Sequence, residues 1–427
     1  MELVISFITT YIFNQPFILL SLVAMIGLII QRKPIQEVLS GSIKTGLGYL
    51  ILQQGTSLLA RVVLPISALM NHIFKIEAVA PGVGTDVFTE EWASAIAVIM
   101  VIGFVVNLLL ARFTKLKYVY LTVHQTYYIS LVYIAILVEV VPTPNKLAVM
   151  IIGGIILGIY SAVSPALVQP YMRDVVGSND IAYGHTTSFG MIVASLVGKL
   201  FKKHKDESSE DLKIPEKLSF LKDISVSTAI IMTILYSVSV LIAGPAWVAE
   251  NVSGGTAGLL WAIQNGMAFG VGITIVLTGV GMMVAEITEA FKGISEKLVP
   301  NAVPALDCPI VFNFAPTAVM IGFLSCLATV LICVGLFGAL GIYALTPPVI
   351  TCFFGGGPAG VFGNSQGGWR GALIAGIVSG LLLSFGQMFT VNAMQTTIAD
   401  FARWSNDFDY SAFPALVKAL LSLIFGR

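Results

Sequence analysis

The chain has 427 residues, of which 56% are hydrophobic and only 11% charged, where soluble domains carry about 25% charged residues. Lys and Arg total 23 against 23 Asp and Glu, so no net charge draws the chain to nucleic acid. Apolar runs of about 18 residues or more recur along the whole length and leave no room for a water-soluble domain. The chain therefore reads as an all-α polytopic membrane protein, with residues 1–427 forming a single membrane-embedded domain. The N-terminus has neither a basic n-region nor an A-x-A site, so no cleavable signal peptide is expected.

Taken in order, an opening helix runs to Ile30, kinked near Pro16, and ends at Arg32-Lys33. A second span, Gly41 to Phe74, is interrupted at Gln53-Gln54-Gly55-Thr56 and Pro65, and exits into an acidic loop holding Glu77, Asp86, Glu90 and Glu91. The third, Ala93 to Leu110, ends at Arg112, Lys115 and Lys117. The fourth, Tyr118 to Val141, turns at Pro142-Thr-Pro144, and the fifth covers Leu147 to Ala162. A long polar stretch follows, in which Lys199 to Asp223 holds seven lysines and six acidic residues. Further spans cover Ser225 to Trp247, Leu259 to Ala285, Phe312 to Tyr343 and Gly371 to Met394, with a short last one from Phe413 to Phe425. Basic clusters after the first and third spans and in the central loop place the N-terminus outside and the central loop in the cytosol, with the C-terminus expected there too. Nine to eleven crossings are expected, depending on how re-entrant pieces are counted.

Two polar, glycine-containing stretches occupy matching places in the two halves: Ile181-Ala-Tyr183-Gly184-His185-Thr186-Thr187-Ser-Phe189 and Gly360-Val-Phe362-Gly363-Asn364-Ser365-Gln366-Gly367-Gly-Trp369. Each follows a proline-marked segment (Pro165 and Pro170; Pro347 and Pro348) and leads into an apolar helix. Gly/Pro-interrupted segments in corresponding positions of two halves point to a transporter's binding site. The expected organisation is two repeated halves, 17–200 and 225–427, around a cytosolic loop 201–223.

Polar residues at membrane depth are few. His124 and Tyr128 are one turn apart and share a helix face; they either hydrogen-bond a hydroxylated solute or serve a helix contact. Asp307 stands just before an apolar span. A charge in the bilayer costs about 2.5–3.5 kcal/mol on insertion scales, which favours a functional role over simple capping of the following helix with Pro309 near its first position. Glu286 and Glu289, followed by Lys292 and Lys297, read as a solvated or ion-paired helix end. The Gly55-Thr56 break is either a hinge or a ligand contact. The four cysteines (Cys308, Cys326, Cys333, Cys352) form no C-x-x-C pair and read as buried reduced thiols. No Walker loop, H-E-x-x-H or G-x-S-x-G occurs, so no ATP hydrolysis, cofactor or metal is expected; nor is a channel filter present.

Several of these segments resemble the ascorbate-specific permease (enzyme IIC) of bacterial phosphotransferase systems. They are Gly46 through Gln53-Gln54-Gly55, Glu207 through Asp211 to Pro215, Val284-Ala-Glu286-Ile-Thr-Glu289, Asp307-Cys308 with Phe314-Ala-Pro316, and Gly367-Gly-Trp369-Arg370. The resemblance implies that the repeat is inverted, in a multi-pass homodimer of the bacterial inner membrane, each chain with a dimer-forming scaffold and a mobile core. It also implies a solute carried by alternating access and phosphorylated by a separate IIB subunit, with IIA upstream and no phosphorylation site on this chain. On that resemblance, His124, Asp307 and Gly55-Thr56 line the solute site, and Tyr128, His185, Thr186 and Asn364 join them as candidates. The chain has Tyr128 where those permeases have a glutamine, and Gly184-His185-Thr186-Thr187 where they read Gly-His-Gln-Gln. Ascorbate is the expected solute, and these departures leave another small polyol or sugar acid open. An ion-coupled secondary transporter using Asp307 or His124 is the alternative; a non-transporting scaffold is a third.

Overall fold

A computed structural model describes residues 15–75, 85–141, 145–212, 217, 223–341, 345, 347–394 and 407–425. The Pro142-Thr-Pro144 turn, Glu77 and most of 213–222 lie outside the described residues. Helices α1 (Pro16–Ile30), α2 (Ile35–Phe74) and α3 (Thr85–Phe113) come first, followed by strand β1 (Tyr118–Tyr120) and α4 (Val123–Val140). Next are α5 (Lys146–Val176), β2 (Ala182–Tyr183) and α6 (Ser188–Gly198), then α7 (Ile224–Ala243), α8 (Pro245–Asn251) and α9 (Gly258–Lys297). The chain continues with β3 (Val303–Leu306), α10 (Pro316–Ala339), α11 (Gly357–Met394) and α12 (Phe408–Phe425). Seven helices among the described residues (α2, α3, α5, α7, α9, α10 and α11) are long and apolar enough to cross a membrane. The protein is thus a multi-pass, almost wholly helical membrane protein.

Several expected breaks are absent. Helix α2 runs unbroken through Gly55, Thr56 and Pro65, and α5 runs through Pro165 and Pro170 to a left-handed Gly177 cap. Proline and glycine are tolerated inside membrane helices when neighbours satisfy or cover the freed backbone. Pro16 is the first residue of α1 rather than a kink within it, a position where its missing N–H costs nothing. Asp86, Glu90 and Glu91 belong to the start of α3 instead of a loop, where acidic residues favour the helix N-terminus.

Helix α2 packs along α9, which also contacts α7 and α1; α10, α11 and α6 form a second set, and α3 lies on α5. The α2–α9 crossing explains why Gly55 is glycine. A Cβ there would meet Val276 N at 2.7 Å, and one on Gly279 would meet Leu52 N at 2.3 Å. Small residues let membrane helices approach closely. Glu286 and Glu289 on α9 are ion-paired, to Lys44 at 3.3 Å and to Lys33 and Lys292 at 3.4 and 2.6 Å.

The three strands make one small parallel sheet, ordered β1-β3-β2. Tyr118, Val119 and Tyr120 pair with Val303, Pro304 and Ala305, and Ala182 and Tyr183 pair with Ala305 and Leu306. Pro304 cannot donate, and it sits on the middle strand before pairing with β2 begins. Beyond the strands, Leu121 N donates to Ala305 O (3.0 Å) and Gly184 N to Leu306 O (2.7 Å). Non-helical backbone at membrane depth is affordable only inside protein or along a cavity, and this sheet is mostly buried.

Replacing Gly279 by Val should destabilise the α2–α9 crossing by about 1–3 kcal/mol, the cost of overpacking. Gly281→Val, where a Cβ meets nothing within 4 Å, should change little. Thermal unfolding of the detergent-solubilised protein reads the contrast; equal melting points for the two variants would contradict the packing described.

Candidate functional site

All three strands point their C-terminal ends at one place. Two residues after β2 comes His185, one after β3 comes Asp307, and four after β1 comes His124. A crevice at the carboxyl ends of parallel strands is where ligands bind in open α/β sheets, and the same geometry operates here on a miniature sheet. Gly184 makes the approach possible, because a Cβ there would lie 2.7 Å from the Ala305 carbonyl. The Thr122 hydroxyl also donates to Gly184 O, tying the turns after β1 and β2 together.

These residues line a cavity of about 430 Å³, within the roughly 300–1,000 Å³ usual for small-molecule sites. Helix α2 contributes Tyr49, Gln53 and Thr56, α4 contributes His124, Gln125 and Tyr128, and Asp407 closes it just before α12. The His124 and His185 Nε2 atoms each lie 3.6 Å from an Asp307 carboxylate oxygen, beyond hydrogen-bond length. One Asp307 oxygen accepts from Cys308 N (2.7 Å) and caps the turn Cys308–Val311, while the carboxylate borders the cavity. A larger groove of about 610 Å³ between α1, α3 and α9 is aliphatic and aromatic apart from Arg112, and offers little to a polyhydroxylated solute.

The structure therefore brings together Thr56, His124, Tyr128, His185 and Asp307. It places three other candidates elsewhere. Gly55 faces α9, as above. Thr186 is fully buried behind the cavity, its hydroxyl donating to the Asp407 carboxylate and lying 2.7 Å from Gln125 Oε1. Asn364 accepts from Ser209 N (2.9 Å) and donates to Ser208 Oγ (3.2 Å). The second glycine-rich stretch thus secures the segment after α6. Gly368, at φ +63, lets that segment come so close that a Cβ would meet His204 O at 2.3 Å. Trp369 N donates to Glu207 O (2.9 Å), and Arg370 pairs with the Glu207 carboxylate. The neighbouring Glu210 carboxylate accepts from Thr317 N and Ala318 N at the start of α10. His204 and Arg370 hold the Glu207 carboxyl below its usual range. The two stretches still meet, since the Tyr183 and Phe362 rings stand edge to face at 5.5 Å.

Gln125, Tyr49, Gln53 and Asp407 were not among the site candidates read from the sequence, although Gln53 belongs to the polar stretch ending at Gly55-Thr56. Gln125 adjoins His124, and Asp407-Phe-Asp409 precedes an apolar helix, the same signal that marks Asp307. Asp409 accepts from Tyr160 Oη (2.6 Å) and from Phe189 N (2.7 Å), and its own N–H donates to Thr186 O (2.9 Å). The turn after β2 is thereby fastened to the start of α12. Lys418 on α12 pairs with Glu139 on α4.

His124, His185 and Asp307 offer donor atoms all within 4.8 Å of one another. A divalent metal would need the Nε2 lone pair of His185, yet Gln125 Nε2 stands 2.9 Å from it. The set fits hydrogen bonding to hydroxyl groups better than metal ligation.

A cavity lined by His124, Gln125, His185, Asp307 and Asp407 among helices long and apolar enough to span a membrane makes this a multi-pass membrane protein with a candidate small-molecule site. The chain belongs to the family of phosphotransferase-system sugar-specific permease components, whose EIIC-GAT model matches residues 11–409. It is similar to a protein of Mycoplasma pneumoniae named "Ascorbate-specific PTS system EIIC component", at 26% identity over a 451-residue alignment covering 92% of this chain and 68% of that one.

Asp307→Asn keeps an acceptor for Cys308 N and so preserves the cap. It should nonetheless weaken solute binding by about 10–100-fold, as expected for losing a hydrogen bond to a charged group, with the elution volume on size-exclusion chromatography unchanged. Unchanged affinity would reduce Asp307 to a helix cap.

Proposed function

We propose that this chain is the permease (IIC) subunit of a phosphotransferase system that binds ascorbate, or a related small sugar or polyol, in the cavity beyond the strand ends. The carrying observation is the convergence of His124, Asp307 and Tyr128 on one cavity of monosaccharide scale. Family membership and the name of the Mycoplasma relative support the solute class. Tyr128 stands where the resembling permeases have an amide, which is why the solute class is broader than ascorbate alone.

In this reading the solute enters from outside and is held by His124, Asp307 and Tyr128. The chain then exposes it to the cytosol by alternating access. A homodimer, with halves 17–200 and 225–427 related as an inverted repeat, and a rigid core moving against a scaffold complete the proposal. Permeases of this class work with IIB and IIA proteins, and IIB is the proposed phosphoryl donor to a solute hydroxyl. The phosphate adds about −1.5 to −2 charges, so the product cannot return through the membrane. The lysines from Lys199 to Lys222 are the proposed docking surface for IIB, with the N-terminus outside.

Vesicles containing the protein, with phosphorylated IIB trapped inside, should accumulate labelled ascorbate as its phosphate ester and not as free solute. Accumulation of free solute under a proton or sodium gradient without IIB would instead establish the ion-coupled reading, with Asp307 as coupling group.

A further inference from the structure

We propose that Gln125 is a positioning residue that holds His185 as a neutral ring with both nitrogens committed to protein, so that the two cavity histidines divide the work: His124 meets the solute and His185 builds the wall. The division rests on the permease reading above; the state of the His185 ring does not.

Five contacts carry the inference. Gln125 Nε2 lies 2.9 Å from His185 Nε2, and an amide –NH₂ can only donate. The ring nitrogen it meets must therefore be unprotonated. The ring's proton is then on Nδ1, which lies 3.0 Å from Thr187 Oγ1, and that hydroxyl is 2.6 Å from Tyr183 Oη. The amide is set in this sense by Tyr410 Oη, which donates to its Oε1 (3.1 Å); the Thr186 hydroxyl lies 2.7 Å from the same oxygen. The 3.6 Å gap between His185 Nε2 and Asp307 agrees with a ring nitrogen that has no proton to give.

Exposure separates the two histidines. The His185 side chain is 4% exposed and that of His124 39%. His124 stands 3.6 Å from Asp307, beyond hydrogen-bond length, and is exposed enough to turn its ring to a solute hydroxyl. The departure at Thr186 then has a physical consequence. Its short side chain turns away from the cavity and holds Gln125, so the amide beside the histidine comes from α4 rather than from the turn after β2.

Around His185 the titratable groups are Asp307 and His124 across the cavity, Asp407 and Tyr410 behind Thr186 and Gln125, and Tyr183 and Cys308 beside the sheet. Gln125→Glu replaces the donor with a carboxylate, an acceptor for a proton on Nε2. The ring should then become doubly protonated at neutral pH.

The test is ¹⁵N-histidine NMR on the full chain in lipid bilayers, with His185→Asn assigning the signal. Wild type should show His185 neutral and protonated on Nδ1, and Gln125→Glu should show an imidazolium at the same pH. A wild-type ring protonated on Nε2, or an unchanged ring in Gln125→Glu, would overturn the proposal. The wild-type measurement decides even if the variant does not fold. With ascorbate as probe, His124→Gln should weaken binding by about tenfold or more, and Gln125→Glu should make binding depend on pH near neutrality while Gln125→Leu does not. Absence of ascorbate binding to wild type would count against the solute assignment and leave the ring measurement standing.

Discussion

Everything at the centre of this molecule depends on one requirement: backbone amides and carbonyls that leave the helices at membrane depth must find partners inside the protein. The chain meets it with a sheet of three very short parallel strands, drawn from positions as far apart as Tyr118 and Leu306. Once paired, the strands present three successive turns at a common end. The chemistry-bearing side chains of those turns then have no choice but to converge.

The helices serve that convergence. Helix α2 brings Tyr49, Gln53 and Thr56 to the cavity's far side, and its glycine-lined crossing with α9 sets how closely it lies. Helix α12 reaches back so that Asp407 and Asp409 secure the turn after β2. The cavity is therefore assembled from six separated stretches of chain, and hydrogen bonds with Gln125, Asp407 and Asp409 fasten the turn after β2 in its wall. Buried hydrogen-bond networks of this kind are stiff, which fixes where His185 stands in the wall.

The legible and illegible parts of the sequence divide along physical lines. Long apolar runs were readable because the bilayer fixes their length. Asp307, His124 and His185 were readable because charged and imidazole groups are costly in that medium. The strands were not, since two to four residues carry no periodicity, and Tyr118-Val-Tyr120 reads equally well as the head of a helix. Gly55 and the prolines of α5 were misleading for the opposite reason. They weaken a helix in water, but here Gly55 lets α9 pack close against α2 and the two prolines sit inside an unbroken α5. Asn364 matched His185 by position in the repeat, yet their neighbours differ, and Asn364 grips the segment after α6 instead of the cavity.

By itself the sequence determined that this is a polytopic membrane protein with a few expensive polar groups, because composition and hydropathy act residue by residue. It also carried enough colinear motifs to point to a sugar permease. Only the tertiary structure decided which polar groups face the same space. It set His124 in the open and His185 behind Gln125, made Thr186 a support for Gln125, and brought Asp407 into the wall. Those roles are set by contacts between residues 60 to more than 220 positions apart, and no local pattern in the chain encodes such distances.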